Sequence, residues 1–344
     1  MPVRNGARWL HEAVESLLQQ IYSDFELLII DDGSSDGTPE MIADFQRKDP
    51  RVKVLRQNQL GLVAALNNGL SKAQGSLIAR LDADDVALPH RLERQAAVFD
   101  SQPKLVLLGT WAEKIDEFGE PIGLLRPESD SEKLKQQLLK KNPFIHSSVV
   151  FLAEAARKCG GYRKVFEAAE DFDLWLRLSE HGDIAILPEV LIKYRIHQRS
   201  ISANLAVRQL FSARLTIRSA MARRSGQSDV AEQFSKAPDW NEISKESEIY
   251  ADAKVYRLLQ NAVQLGKPSL SMAEIRAACA APLNHAERKI AQAALLNVIG
   301  DRDEFSFLGR AELMARFLYL HPARGLKLLF SSSVADVNNS AVEK

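Results

Sequence analysis

Only two cysteines occur in 344 residues, Cys159 and Cys279. They lie far apart and form no Cys-x-x-Cys pair, which argues against a disulfide framework and a cysteine-built zinc site. There is no net charge either, since 45 Lys and Arg face 45 Asp and Glu. A protein that neutralises the phosphates of a nucleic acid needs a basic excess, so that partner is excluded. No apolar stretch reaches the ~18–20 residues of a membrane-spanning helix, and no signal-peptide pattern opens the chain. The expected compartment is therefore the cytosol. Internal repeats and low-complexity segments are also missing.

What is present is ordinary globular material, 46% apolar and 26% charged. At roughly 100–200 residues per domain the length suits two domains with real cores. The neutral total hides a gradient. Residues 1–200 hold 26 basic and 30 acidic side chains, and residues 201–344 hold 19 and 15. The acid excess therefore sits in the first part.

That first part alternates helix and strand patterns. Trp9, Leu10, Ala13, Val14, Leu17, Leu18 and Ile21 follow helical spacing, and Phe25–Ile30 is a short apolar run closed by two aspartates. Thr38-Pro39 starts a second helix, with a cap candidate before a proline at N1. Strands are predicted at Val52–Leu55, Ser76–Leu81 and Leu105–Thr110, with helices at Leu62–Ala73 and Pro89–Phe99. Such alternation implies right-handed βαβ units in a mostly parallel sheet, with ligands at the carboxyl ends of the strands. Both acidic clusters fall there. From Trp111 the pattern breaks into a hairpin around Glu117–Pro121 and strands at Phe144–Phe151 and Val190–His197. After about Ser202 only helices are predicted, at Ala206–Arg223, Glu242–Leu265, Met272–Ala281, His285–Ile299 and Ala311–Leu320. The boundary is expected near residues 202–206, giving a domain over 1–204 and a helical region over 205–344.

Four constellations carry polar chemistry. Asp31-Asp32-Gly33-Ser34-Ser35-Asp36-Gly37-Thr38 places carboxylates at a strand end, where they can accept from a nucleobase or ribose. A plain capping turn explains the same residues. In Asp82-Ala83-Asp84-Asp85 the alternate carboxylates of an extended segment converge on one side, as a hard divalent cation requires. A calcium-binding EF-hand loop is excluded there, because Ala87 holds the position that needs glycine. Glu170-Asp171 opens an amphipathic helix containing Leu174 and Trp175. The pair suits the helix N-terminus electrostatically and can also supply a general base. Tyr194-Arg195-Ile196-His197 closes the last strand, and Asn142-Pro143-Phe144-Ile145-His146-Ser147-Ser148 carries a second histidine. Each of these two histidines, taken alone, reads as a structural residue.

The order of these features resembles the family 2 glycosyltransferases of the GT-A fold. The resemblance covers residues 2–200 and is most specific from Leu77 to Leu92. It implies a Rossmann-like α/β domain, with a nucleotide-binding part over about residues 1–110 and an acceptor part over 111–204. It further implies a nucleotide-sugar donor, most readily a UDP-sugar, bound by Pro2, Asp31, Asp32 and Asp82. Mn²⁺ or Mg²⁺ would be held by Asp82, Asp84 and His197. Asp171 would act as the base of an inverting transfer, with Glu170 as the reserve candidate. A glycan or lipid-linked acceptor would meet Gly160, Gly161, Tyr162 and Trp175. The variant is like that of bacterial enzymes building surface polysaccharides.

Two features depart from the family pattern. An apolar strand normally precedes the segment Pro2-Val3-Arg4-Asn5, so the opening strand is expected to be missing, through a late start. Ala65-Leu66-Asn67 stands where many relatives have Ala-Arg-Asn, removing an arginine contact to the nucleotide. Two rival readings are a sugar nucleotidyltransferase, whose Gly-rich basic signature is not found, and a non-catalytic glycan-binding scaffold. Gly309–Phe330 mixes leucines with Arg310, Arg316, Arg324 and Lys327. That segment can dock on an anionic membrane surface, although packing on the protein itself is the simpler expectation.

Overall fold

The computed structural model describes residues 1–197 and 206–239, with residues 242–244, 247, 249, 250 and 253 beyond them. The chain divides into two compact units, Met1–Ala237 and Pro238–Lys344. The first unit therefore extends past the expected boundary near 202–206. The helices predicted after residue 254, the basic segment Gly309–Phe330 and most of Glu242–Leu265 lie outside the described residues.

The first half is built on three parallel strands, β1 (Pro2–Val3), β2 (Leu27–Asp31) and β3 (Val52–Arg56), in the order β1-β2-β3. Helices α1 (Leu10–Leu18), α2 (Thr38–Lys48) and α3 (Leu62–Lys72) make the connections. Of the opening strand expected to be missing, two residues are present as β1. Pro2 pairs with Ile30 and Val3 with Asp31. The ladder continues at both ends, as Ile30 N donates to Met1 O at 2.9 Å and Asp32 N donates to Val3 O at 2.9 Å. Pro2 and Val3 are both buried beside β2.

The second sheet is mixed. It contains β4 (Leu77–Ala79), β5 (Val86–Ala87), β6 (Leu105–Ile115), β7 (Pro121–Leu125), β8 (Val150–Leu152) and β9 (Asp183–Arg195). Its order is β4-β8-β6-β9-β5, with β7 paired to β6 as the predicted hairpin. The β6–β9 ladder is parallel and the other pairs are antiparallel. Helices α4 (Arg91–Ser101), α5 (Ser131–Leu138), α6 (Ala153–Lys158) and α7 (Glu170–Leu178) complete this half, and α8 (Ala206–Arg224) follows the predicted helix.

One predicted strand, Phe144–Phe151, is mostly something else. Only Val150–Leu152 pairs as a strand, and His146–Ser148 form a single 3₁₀ turn. Pro143 offers no N–H to a ladder. Asn142 Oδ1 accepts from Phe144 N at 3.0 Å, and Ser148 Oγ donates to Ile145 O at 2.8 Å. Such local bonds compete with strand pairing.

Two apolar cores result. One gathers Leu10, Val14, Ile29, Ile42 and Phe45 under the parallel strands. The other gathers Leu107, Phe151, Phe172, Trp175 and Ile186 under the mixed sheet. Burying each such side chain contributes about 1.5–3 kcal/mol. These cores fix the strand ends on which the polar clusters stand.

Candidate active site

The first acidic cluster follows β2. Asp31 Oδ1 accepts from Ser34 N at 2.9 Å, closing the turn. Asp32 is committed to the neighbouring loop, accepting from Gln57 Nε2 at 2.7 Å, Leu60 N at 2.7 Å and Gly61 N at 3.0 Å. Gly33, at φ +73°, lets this turn lie against the loop, since a Cβ there would come within 2.9 Å of Gln59 N. Asn5 ties the segment after β1 to the same turn, accepting from Ser35 N at 2.8 Å. Pro2 is buried in β1. Asp32 thus shapes this corner rather than presenting a free carboxylate.

The second cluster follows β4, and the structure gathers three of its carboxylates. Ligand oxygens of Asp82, Asp84 and Asp85 lie within 4.8 Å of one another. Asp85 was not among the sequence-predicted ligands, although it directly follows the Asp-x-Asp pair. Arg195 holds this loop from the end of β9. Its backbone N donates to Asp85 Oδ1 at 2.7 Å and its Nε to Asp84 O at 2.8 Å, while Nη2 reaches Glu12 Oε2 at 2.5 Å. His197 stands behind Asp84, with Nε2 2.8 Å from Asp84 Oδ2 and its ring 4.3 Å from that of Trp9. It therefore reaches the cluster through Asp84.

On the inner side lies Arg80, buried beneath the loop. It pairs with Asp82 Oδ2, and its Nη1 donates to Ser147 Oγ at 2.9 Å. Ser147 Oγ in turn donates to Asp82 Oδ2 at 3.0 Å. Burial opposes charge on Asp82, yet the Arg80 guanidinium holds that carboxyl below its usual range. Asp85 is pushed well up by burial and then by the charges of Asp82 and Asp84, and Asp84 is pushed up in the same way. Asp85 Oδ2 is buried with no hydrogen-bond partner. Crowded carboxylates of this kind are relieved by a cation, and an all-oxygen set suits Mg²⁺ or Mn²⁺. The residues present fit such an ion.

The third cluster opens α7. Asp171 Oδ1 accepts from Phe172 N at 2.6 Å and Oδ2 from Asn142 Nδ2 at 2.8 Å. Burial raises the Asp171 carboxyl, and those bonds together with Arg80 oppose the rise. Glu170 is more deeply buried, and desolvation plus the charge of Asp171 push it up to about 7. Adjacent carboxyls in unequal surroundings separate into a proton-holding and an ionised member. Of the two, Asp171 accepts the hydrogen bonds from Phe172 N and Asn142 Nδ2 that favour its charged form.

The glycine loop before α7 is docked on α3. Asn67 Nδ2 donates to Tyr162 O at 2.8 Å and Asn67 Oδ1 accepts from Tyr162 N at 2.8 Å. Gly161 sits at φ +69°, and a Cβ there would fall 2.5 Å from Asn67 Oδ1. Gly160, at φ +80°, has open space instead. Tyr162 is buried, with its hydroxyl 3.3 Å from His146 Nε2. The expectation that Trp175 faces an acceptor is corrected, because its side chain has 0% exposure and is packed among Phe144, Phe151 and Tyr162. Helical spacing already placed it on the apolar side of α7, and the core claims it.

Arg80 links the second and third clusters, since its charge favours ionisation of Asp82, Asp84, Glu170 and Asp171 alike. Sequence reasoning did not single it out, nor Asn67, Asn142 or Arg195 as holders of the site. An arginine within Ala-Arg-Leu-Asp at an apolar strand end was the available signal. A cavity of about 850 Å³, lined in part by Gly75, Lys104, Arg157 and His181, lies at the amino ends of β4 and β6, remote from these carboxylates.

Comparison with known proteins matches residues 1–163 to the profile described as glycosyl transferase family 2. The chain is 37% identical over 204 residues to the O-antigen biosynthesis glycosyltransferase WbnJ of Escherichia coli, covering 58% of this chain and 79% of WbnJ. Among solved structures, S. aureus TarS (residues 1–349) superposes with a TM-score of 0.56 at 14% identity, over 94% of this chain and 89% of that one. The mannosyltransferase PcManGT of Pyrobaculum calidifontis, solved with GDP-Man and Mn²⁺, gives 0.50 at 19% identity, over 94% and 85%. These two likenesses establish the fold, an α/β domain of the GT-A type. Fold, sequence kinship and the ordered carboxylate clusters agree, and the chain belongs to glycosyl transferase family 2 as a glycosyltransferase.

Proposed function

We propose that this enzyme moves a sugar, with inversion, from a nucleotide diphosphate sugar to a hydroxyl of a growing cell-surface glycan or its lipid-linked precursor. A UDP-sugar is the donor we favour. The observation that carries the reading is the pair of carboxylate groups whose ionisation is favoured by one buried arginine, Arg80. Asp82, Asp84 and Asp85 form an oxygen cluster, and Asp171 is held apart from them as the ionised member of a second pair. The naming of WbnJ for O-antigen biosynthesis supports the glycan acceptor. TarS solved with UDP-GlcNAc supports the donor class, and PcManGT with GDP-Man and Mn²⁺ supports a metal.

Asp82, Asp84 and Asp85 would hold Mn²⁺ or Mg²⁺, with His197 orienting Asp84, and the bound ion supplies Lewis-acid stabilisation of the diphosphate leaving group. Asp171 takes the proton of the acceptor hydroxyl as its oxygen attacks the anomeric carbon. Glu170 keeps its proton near neutrality and so leaves Asp171 as the charged partner. Asn67 and Arg177 hold the loop Gly160–Tyr162 at the acceptor side, Arg177 Nη2 donating to Gly161 O at 2.7 Å. At the donor side Pro2, Asp31, Asp32 and Asp82 form the nucleotide-sugar contacts. We place the reaction on the cytoplasmic side. Among the described residues no helix is long and apolar enough to cross a membrane.

The test is nucleotide release from UDP- and GDP-sugars with and without Mn²⁺. Asp171→Asn should lower transfer by at least ~10³-fold while Mn²⁺-dependent UDP binding stays within about 3-fold of wild type, the loss being in the chemical step. Asp82→Ala should lose both. Full turnover by Asp171→Asn would remove it as the base, and no release from any nucleotide sugar would favour a non-catalytic scaffold.

A further inference from the structure

The irregular segment Asn142–Ser148 touches both carboxylate groups. At one end, Asn142 Nδ2 donates to Asp171 Oδ2 at 2.8 Å, while Asn142 Oδ1 is locked by Phe144 N at 3.0 Å. At the other, Ser147 Oγ accepts from Asp82 N at 3.1 Å and from Arg80 Nη1 at 2.9 Å, and donates to Asp82 Oδ2 at 3.0 Å. Ser147 is fully buried, so water cannot replace these bonds. The segment is itself anchored, since Ser148 Oγ accepts from Thr110 N at 3.2 Å and donates to Ile145 O at 2.8 Å. The ring of His146 lies between the two ends, against Tyr162 and Trp175.

We propose that Asn142–Ser148 is a positioning strap for transfer, in which Ser147 sets the rotamer of Asp82 and Asn142 that of Asp171. Donor-side and acceptor-side carboxylates are thereby held in register by a single piece of chain. A strap fits the local structure. A regular strand would alternate its side chains between two faces and spend its backbone groups on a ladder. The 3₁₀ turn at His146–Ser148 instead frees Ser147 to reach Asp82. This inference rests on the roles proposed above for Asp82 and Asp171.

The full chain tests it without a known acceptor. Mn²⁺ affinity in the presence of UDP, read by electron paramagnetic resonance, should fall at least ~10-fold in Ser147→Ala. Ser179→Ala removes a hydroxyl outside the strap, one that donates to Leu176 O at 2.7 Å, and should change Mn²⁺ affinity less than about 2-fold. Should the alanine variant fail to fold, Ser147→Cys keeps the volume with a weaker partner, and the same loss is expected. Asn142→Ala should leave Mn²⁺ affinity intact but raise the titration midpoint of the Asp171 carboxyl by about half to one pH unit, through loss of a charge-assisted bond. Carbon-13 NMR reads that midpoint, with the signal assigned by Asp171→Asn. The other groups facing Asp171 are Glu170 on its own helix, Arg80 from the end of β4 and Tyr162 from the glycine loop. They are unchanged in this variant. Wild-type affinity in Ser147→Ala, or an unmoved midpoint in Asn142→Ala, overturns the strap. Asp82→Ala with undiminished Mn²⁺ affinity, or Asp171→Asn with full transfer, would instead overturn the underlying roles.

Discussion

Glu170 holds its proton to about pH 7 because burial removes water from its carboxyl and Asp171 adds a like charge. Below its ordinary value of 4.5 both folded and unfolded chains bind that proton. Between there and about 7 only the folded chain does, so its contribution to stability falls as pH rises through that window and levels off above it. The loss is on the order of 3 kcal/mol. Glu170→Gln, which cannot ionise, should flatten this slope and be the more stable protein at pH 8. Urea unfolding of both proteins at pH 5 and pH 8 measures it. At this scale the sequence pointed to the proposed carboxylates and was silent about their partners. Asp82, Asp84 and Asp171 stand in short recognisable runs, whereas Asn142 lies 29 residues before Asp171 and Ser147 lies 65 after Asp82.

At the scale of elements, the site is a set of strand and helix ends tied together by side chains. Asn67 of α3 carries the glycine loop through two hydrogen bonds to Tyr162, and Gly161 must come so close that no Cβ fits. Gly161→Ala is therefore expected to cost about 1–3 kcal/mol, combining a left-handed backbone with displacement of Asn67. Gly160→Ala, with the same backbone sign but open space around it, should cost less. Thermal or urea denaturation ranks the two. The helices of the first hundred residues follow the period of 3.6 and β2, β3 and β4 stand as short apolar runs, so these were legible, whereas β1 and β5, two residues each, were not. The stretch Phe144–Phe151 was not, because its apolar run resembles a strand while Pro143 and the polar side chains of Asn142 and Ser148 draw the backbone into local bonds.

Across the first compact unit, a chain of buried ions fastens α8 to the catalytic half. Asp173 accepts from Arg163 Nη2 at 2.5 Å and from Arg177 Nη2 at 2.5 Å, and Arg163 continues to Asp229 at 2.8 Å. Arg223 of α8 joins Asp229 at 2.8 Å and Glu180 at 3.0 Å. Asp173→Ala leaves two arginines without their shared carboxylate, and should destabilise this unit by about 3–5 kcal/mol. Loss of cooperative unfolding at the wild-type denaturant midpoint is the readout. The same Arg177 grips Cys159 O at 2.6 Å and Gly161 O at 2.7 Å, so the variant should also loosen the loop proposed to meet the acceptor. Overall neutrality gave no hint of this arrangement. It counts charges without placing them, and here acidic side chains gather at the proposed site while α8 brings arginines to a structural network.

The sequence by itself determined the order of strands and helices through residue 197 in outline. It also determined the placement of acidic runs at their ends and the kinship these runs betray. All of that depends on neighbours within a few residues, where period and local propensity act. Only the tertiary structure decided that Asp85 joins Asp82 and Asp84, that Arg80 lies beneath two carboxylate groups, and that Trp175 belongs to the core. Those outcomes depend on contacts between residues far apart in the chain, such as Arg195 with Asp85 across 110 positions. No local spacing records such contacts, because they form only when the apolar faces of the strands have closed on their cores.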